Sequence, residues 1–307
     1  MIPIRATVPT ATEARALLTG IVRSAEIDAE TVATALADDA PDETLLGHVS
    51  TPFSSVADVA ERLGRTEAYL RERGDPRAVF LTVYSRMTAA VGTAIDDGAF
   101  LDPAWAASYL VAFADRYRRA LVAFERRAFE SVPRPWLIAF AAAARGRTLV
   151  AQDALLGINA HIAYDLTYTL GDIGIDPARD RKRVDHQRIN AILARLVQTM
   201  QDVLVETYDA VGIAGIDRLL DPFDDRVALV GLRGSREFAW RNAVLRADSA
   251  GGLVGRYVDW RTETVSTGAA ALILAPDIDA ATSERLRTAE SGVDAARAFH
   301  EAIRRRM

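Results

Sequence analysis

The chain has 307 residues, 50% of them hydrophobic and 26% charged, with a formal net charge of −5 and no cysteine. That is the composition of an ordinary globular protein, long enough for one large domain or two small ones. The missing cysteines exclude disulfides, thiolate nucleophiles, iron–sulfur clusters and cysteine-based zinc sites, and the acidic balance argues against a nucleic-acid partner.

The opening Met1–Thr7 lacks the charged-then-apolar pattern of a signal peptide. No run of about 18 uncharged apolar residues reads as a membrane span, so the expected location is cytoplasmic. The first 50 residues read as an N-terminal helical extension and 51–307 as an all-helical domain; one domain throughout is the other division.

Val56, Val59, Ala60, Leu63 and Leu70 follow helical spacing behind Ser54-Ser55, a capping pair. Asp75-Pro76 opens the next helix, whose apolar face carries Phe80, Val83, Tyr84, Met87, Val91 and Ile95 before Gly98 stops it. Asp102-Pro103 repeats the device ahead of Leu110, Phe113, Tyr117, Leu121 and Phe124. Pro133-Arg134-Pro135 breaks the chain, and an apolar helix runs from Trp136 towards Gly146. A helix over about 149–171 follows, then a charged loop, then a long helix over about 183–210 with Ile189, Leu193, Met200 and Leu204 inward. The last hundred residues are less regular, with helices expected over Arg236–Leu245 and Ala280–Arg305. Trp136, Trp240 and Trp260 read as core anchors, and Lys182, the single lysine, as solvated within a basic run. No stretch alternates long enough to make a sheet. The expected fold is all-α: a single multi-helix, bundle-like domain with a buried central helix around 149–171.

That central helix is apolar on every side, the mark of a buried helix, yet it carries Asp153, Asn159, His161 and Asp165. Polar groups in a core must be paired or bound to something. At about 100° per residue, Asp165, Tyr168 and Asp172 lie within about 40° of His161 on one face, whereas Asn159 points to the opposite side. In the next helix His186 and Asn190 extend the face of Ile189 and Leu193. Folded as an antiparallel hairpin, the two helices would bring His186 and Asn190 to the level of Asp165 and His161.

Three readings stay open. His161, Asp165 and His186 bind one divalent metal (Zn, Mn or Fe), with water of lowered pKa in an open position and Asn190, Tyr168 and Asp153 around it. Alternatively, His161 and Asp165 form a metal-free acid–base pair; no Gly-x-Ser-x-Gly elbow supplies a nucleophile. In the third, His161, Asp165, His186 and Asn190 are a satisfied polar network that holds helix register. Asp221-Pro-Phe-Asp-Asp225 reads as a loop and cap, without the spacing of an Asp-rich metal motif.

The block Leu155-Leu-Gly-Ile-Asn-Ala-His-Ile-Ala-Tyr-Asp-Leu166, with Asp185-His-Gln-Arg-Ile-Asn190, Ala78–Met87 and Pro133-Arg-Pro-Trp136, resembles a prokaryotic family known as a domain of unknown function. The resemblance covers roughly residues 50–250 and implies an all-helical fold and no activity. His161 and Asp165 also resemble the His-x-x-x-Asp of helical zinc-dependent phospholipase C and single-strand nuclease enzymes, but four histidines are too few for their three zincs. The leading expectation is a metal-dependent enzyme, a hydrolase of a small-molecule or lipid-like substrate, with catalytic and metal-binding residues His161, Asp165 and His186. The alternative is a non-catalytic helical binding protein, a homodimer, whose buried polar residues hold the fold or an apolar ligand.

Overall fold

The structure is a computed structural model, and it describes residues 11–23, 28–146, 148–209, 232–249, 252–274 and 280–306. Among the described residues every regular element is helical. In chain order they are α1 (Ala11–Arg23), α2 (Ala29–Ala35), α3 (Glu43–Val49), α4 (Val56–Glu72), α5 (Arg77–Asp96), α6 (Pro103–Glu125), α7 (Arg134–Ala144) and α8 (Val150–Ile158). A π-helical segment (Asn159–Asp165) continues α8 directly into α9 (Leu166–Ile173). Then come α10 (Arg179–Asp209), α11 (Leu232–Ala247), α12 (Gly252–Leu274), α13 (Ala280–Val293) and α14 (Ala295–Arg306).

Local chemistry places most of the starts. Ser55 accepts from the Asp58 N–H at 3.1 Å while Asp58 accepts from the Ser54 N–H at 2.8 Å, so α4 opens with reciprocal donors satisfied. Asp102 accepts from the Trp105 N–H at 3.0 Å ahead of Pro103. Asp185, fully buried on α10, adds a tertiary clamp by accepting from the N–H groups of Leu101 and Asp102 at 2.8 and 2.7 Å.

α5 lies at the centre, packed against α4, α8, α10, α14 and α6. Its residues Val79 to Tyr84 are all buried, because neighbours cover every side. It is the one described helix long and apolar enough to cross a membrane, and most of it is buried inside the protein. The main core also takes in Val32, Leu45, Leu46 and Val49 from α2 and α3, so the N-terminal helices bury their apolar faces in the same interior as α5. α1 lies along α12, where Ala16 meets Phe238 and Val265.

Several expectations change. α12 is a long core helix where the sequence looks irregular; Thr262, Val265, Ser266, Ala269, Ala270 and Ile273 are buried along it. The last helix is two, because Asp294 adopts φ +47° between α13 and α14. Lys182 is buried rather than solvated; its ammonium donates to the carbonyls of Gly174 and Asp176, both at 3.2 Å, beside the Trp105 ring. Trp136 and Trp240 are core residues, but Trp260 is 49% exposed. Asp221–Asp225 lies outside the described residues.

Gly157 sets how closely α8 approaches α5. A Cβ at this position would meet Phe80 Cβ at 2.6 Å and two atoms of its ring as closely or closer. Phe80 is buried and stacked on Tyr84, so it has little room to withdraw. Gly157→Ala is expected to destabilise the protein by about 1–3 kcal/mol through overpacking. Chemical denaturation checks this; an unchanged midpoint would show that Phe80 repacks freely.

Candidate functional site

The π turn carries the central feature. The Leu166 N–H bonds back to the His161 carbonyl, an i to i+5 hydrogen bond, and such wide turns recur at functional sites. His161 and Asp165 are both 1% exposed. His161 Nδ1 lies 2.9 Å from Asp165 Oδ2, and the same oxygen accepts from Trp136 Nε1–H at 2.7 Å. Tryptophan can only donate, so Oδ2 is an acceptor and Nδ1 carries the imidazole proton. Nε2 is then left with a lone pair, and it is buried with no partner among the described residues.

Aromatic rings hold this imidazole in place. Phe113 of α6 stacks on it with ring centroids 3.6 Å apart and planes within 10°, and Tyr84 of α5 meets it edge-on at 4.4 Å. Burial in that apolar shell holds His161 below the usual imidazole range, although the Asp165 contact pulls the other way. The ring is therefore a neutral, oriented acceptor at neutral pH.

His161 lines a cavity of about 50 Å³. At about 30 Å³ per liquid water, this is room for one or two waters. Phe80, Tyr84 and Met87 of α5, Phe113 of α6, and Ile189 and Leu193 of α10 form apolar walls. Besides His161 and Tyr84, the residues of the lining with polar groups are Thr88, Tyr109 and Arg236.

Arg236, on α11, is 1% exposed. Its Nε donates to Asn190 Oδ1, and its Nη2 donates to Tyr109 Oη at 3.0 Å, to His186 Nδ1 at 3.2 Å and to the His186 carbonyl at 3.4 Å. All of these acceptors are neutral. Among the described residues no carboxylate pairs with this guanidinium, and burial weakens its hold on its proton. A buried cation costs several kcal/mol, a penalty that hydrogen bonds to a charged group, about 1.5–3 kcal/mol each, offset here.

The structure separates the predicted residues into four places. His161 and Asp165 are together, as their i, i+4 spacing implies. His186 and Asn190 belong to the Arg236 cluster instead. The expected hairpin does not form: α9 packs on α6 and α11, while α10 packs on α5, α11 and α14. The path of ring contacts from His161 to His186 runs through Phe113 and Tyr109 of α6. His186 Nδ1 accepts from Arg236, so its neutral ring carries the proton on Nε2 and offers a metal no lone pair there. The adjacent cation and burial both hold His186 well below the usual imidazole range. No group of three or more His, Asp or Glu residues suited to a metal ion gathers among the described residues.

Tyr168 and Asp172 also leave the face of His161. The π turn takes more residues per revolution than an α turn, so the register shifts after Asp165. Tyr168 meets the Tyr164 ring at a tilt of 50° and lies between Arg116 and Arg246 in a separate groove, with Asp172 paired to Arg116. Asn159 points away, as its helical angle implies, and donates to the Ser266 carbonyl at 2.8 Å.

Asp153 is also elsewhere. It accepts from Thr148 Oγ1 at 2.5 Å, near Glu290 of α13, which accepts from the Val150 N–H at 3.0 Å. Sequence reading missed Arg236 as well. The signal is present in Arg236, Ala239, Trp240 and Ala243, which place a guanidinium on the apolar face of α11.

An all-α protein with an aspartate-oriented imidazole and a buried guanidinium lining one apolar cavity is the class this geometry defines. Residues 56–276 match the model of a family described as Family of unknown function (DUF5995), and the chain belongs to that family. No curated protein and no solved structure matches it.

The carboxyls of Asp153 and Glu290 give a test of their burial. Burial, with a smaller push from a neighbouring acid, takes Asp153 up to about 7 and Glu290 up to about 8. The folded protein therefore holds protons that the unfolded chain has released above about 4. Their contribution to stability is complete below that value and is lost as the pH rises through about 7 and 8. Asp153→Asn, which keeps an acceptor for Thr148, is expected to flatten this decline when melting temperature is followed against pH.

Proposed function

We propose that the protein is an enzyme that binds a small, largely apolar molecule in the cavity, with His161 as its general base. The observation that carries this reading is the free Nε2 of His161. A buried acceptor with no partner among the described residues, on a ring that lines the cavity and with its other nitrogen fixed by a carboxylate, suits a proton that arrives with a ligand. Asp165 orients the ring and stabilises the imidazolium formed on proton transfer, while Trp136 and Phe113 limit its rotation. The apolar walls exclude water and strengthen every charge interaction inside. The proton comes from the bound molecule or from a water beside it, and hydrolysis is the outcome in the second case.

The metal-dependent form of this reading retains one feature, since a carboxylate on Nδ1 is the usual support for an imidazole that ligates metal through Nε2. The described residues offer such an ion one ligand here rather than three, so proton transfer ranks ahead.

Incubating the purified protein with an extract of small metabolites, and following all masses by chromatography–mass spectrometry, tests the proposal. At least one species is expected to be consumed by the wild type, and about 10²–10⁴-fold more slowly by His161→Gln. Consumption of nothing, or equal consumption by both proteins, would overturn it. The pH profile is a second check. The working form of His161 is neutral and burial lowers its titration, so kcat/KM is expected to be level around pH 7. Its acid limb should lie below the usual imidazole value of about 6.5.

A further inference from the structure

Trp260 stands outside the core because it belongs to a stripe on the outer face of α12. Leu253, Tyr257, Trp260 and Thr264 are four, three and four residues apart, within about 60° of one another at about 100° per residue. Leu253 is 80% exposed, Tyr257 38% and Trp260 49%, and Thr264 is half-buried. The two aromatic rings lie together, with centroids 6.0 Å apart. The opposite face of the helix enters the protein through Val258, Thr262 and Val265. An exposed line of leucine, tyrosine and tryptophan is the composition of a contact surface, since Trp and Tyr carry much of the energy of protein interfaces. Its alternating spacing is that of a coiled-coil seam, and the two edges of that seam differ. One is closed by the protein itself: Val254 packs on Leu245 and Val258, and Arg261 is buried over the Phe238 ring. The other carries Arg256 and Glu263, both exposed, seven residues apart and of opposite sign.

We propose that this stripe pairs with the same stripe of a second copy of the chain, the two α12 helices running antiparallel about a two-fold axis. The proposal is independent of the cavity and its chemistry. A two-fold contact joins a surface to itself, and the charges make this surface self-complementary in one orientation. In an antiparallel pair the same edge of both helices meets. Arg256 of each copy then faces Glu263 of the other, and two ion pairs form across the seam. In a parallel pair that edge would meet the one closed by Val254 and Arg261, and neither charge would find its opposite. The same charges argue against a lipid surface as the occupant. A helix lying on a membrane flanks its apolar stripe with several Lys or Arg, whereas here one of the two edge charges is a glutamate and the chain is acidic. From Leu253 to Thr264 the stripe is about 17 Å long at 1.5 Å per residue. That is short beside the ~800 Å² per partner of a standard stable interface, so the dimer is one that forms and separates with concentration.

Sedimentation velocity of the full chain, from micromolar to near-millimolar concentration, tests this. The wild type is expected to pass from monomer to dimer as concentration rises. Trp260→Ser is expected to weaken the dimer at least about 100-fold, because the ring is lost from both copies. Glu263→Arg sets like charges against each other twice and is expected to weaken it about tenfold, as is Arg256→Glu. The double variant that exchanges the two charges remakes both pairs and is expected to recover the wild-type dimer. That recovery is specific to the antiparallel pairing, since it requires the two positions to face each other across the interface. All three positions are exposed, and circular dichroism checks that each variant is folded; the wild-type concentration series stands by itself if one is not. A wild type that stays monomeric throughout, a dimer indifferent to Trp260→Ser, or charge exchanges that do not rescue each other would overturn the proposal. A monomer that binds vesicles of anionic phospholipid, and loses that binding in Trp260→Ser, would overturn it in favour of a membrane.

Discussion

The hydrogen bond between His161 and Asp165 is the constraint on which the interior depends. Both groups are buried where an unpaired polar atom costs about 1–3 kcal/mol, so each needs the other, and Asp165 also needs Trp136. That demand orders three helical segments at once. The π turn sets the register of the pair, α7 supplies the indole donor, and α6 supplies Phe113 to cover the imidazole face. One donor–acceptor chain thereby determines the tautomer of His161 and leaves a single lone pair facing the rest of the core.

Around Arg236 the logic is reversed. There the buried group is a cation, and the described residues supply neutral acceptors instead of a carboxylate. Arg236 holds His186 neutral, takes the amide oxygen of Asn190, and gains Tyr109 from the helix that also carries Phe113. The two clusters are thus joined by α6, with a basic acceptor in one and a buried cation in the other. The apolar lining around them keeps the local dielectric low.

Most of the helices were legible because their signals are local. Ser55 and Asp102 announce their helices by capping chemistry, and the apolar faces of α5, α6 and α10 follow helical spacing with no reference to neighbours. The failures have a common origin in burial. α12 escaped because a helix covered on several sides by small residues and hydroxyls, such as Thr262, Ser266, Ala269 and Ala270, shows no amphipathic contrast. Lys182 was misjudged because its solvation depends on the carbonyls of Gly174 and Asp176, which the turn before α10 brings to it. The register of Tyr168 and Asp172 was lost because a regular period was carried through a turn that is not regular.

The sequence by itself determined that the protein is helical, that the segment around His161 is buried, and that His161 and Asp165 must meet. These follow from periodicity, composition and a four-residue separation within one turn, all short-range properties of the chain. It also carried the family resemblance in the same block of residues. Only the tertiary structure decided the partner of His186. Two helices adjacent in sequence did not pack as a hairpin, and α6 and α11 supply the contacts around His186 instead. No local rule sets that order, because helix adjacency is chosen by which apolar faces fit together over the whole core. The same packing brought Arg236 to the cavity that His161 lines. A pair visible within one turn thereby joined a cavity whose lining also comes from a distant part of the chain.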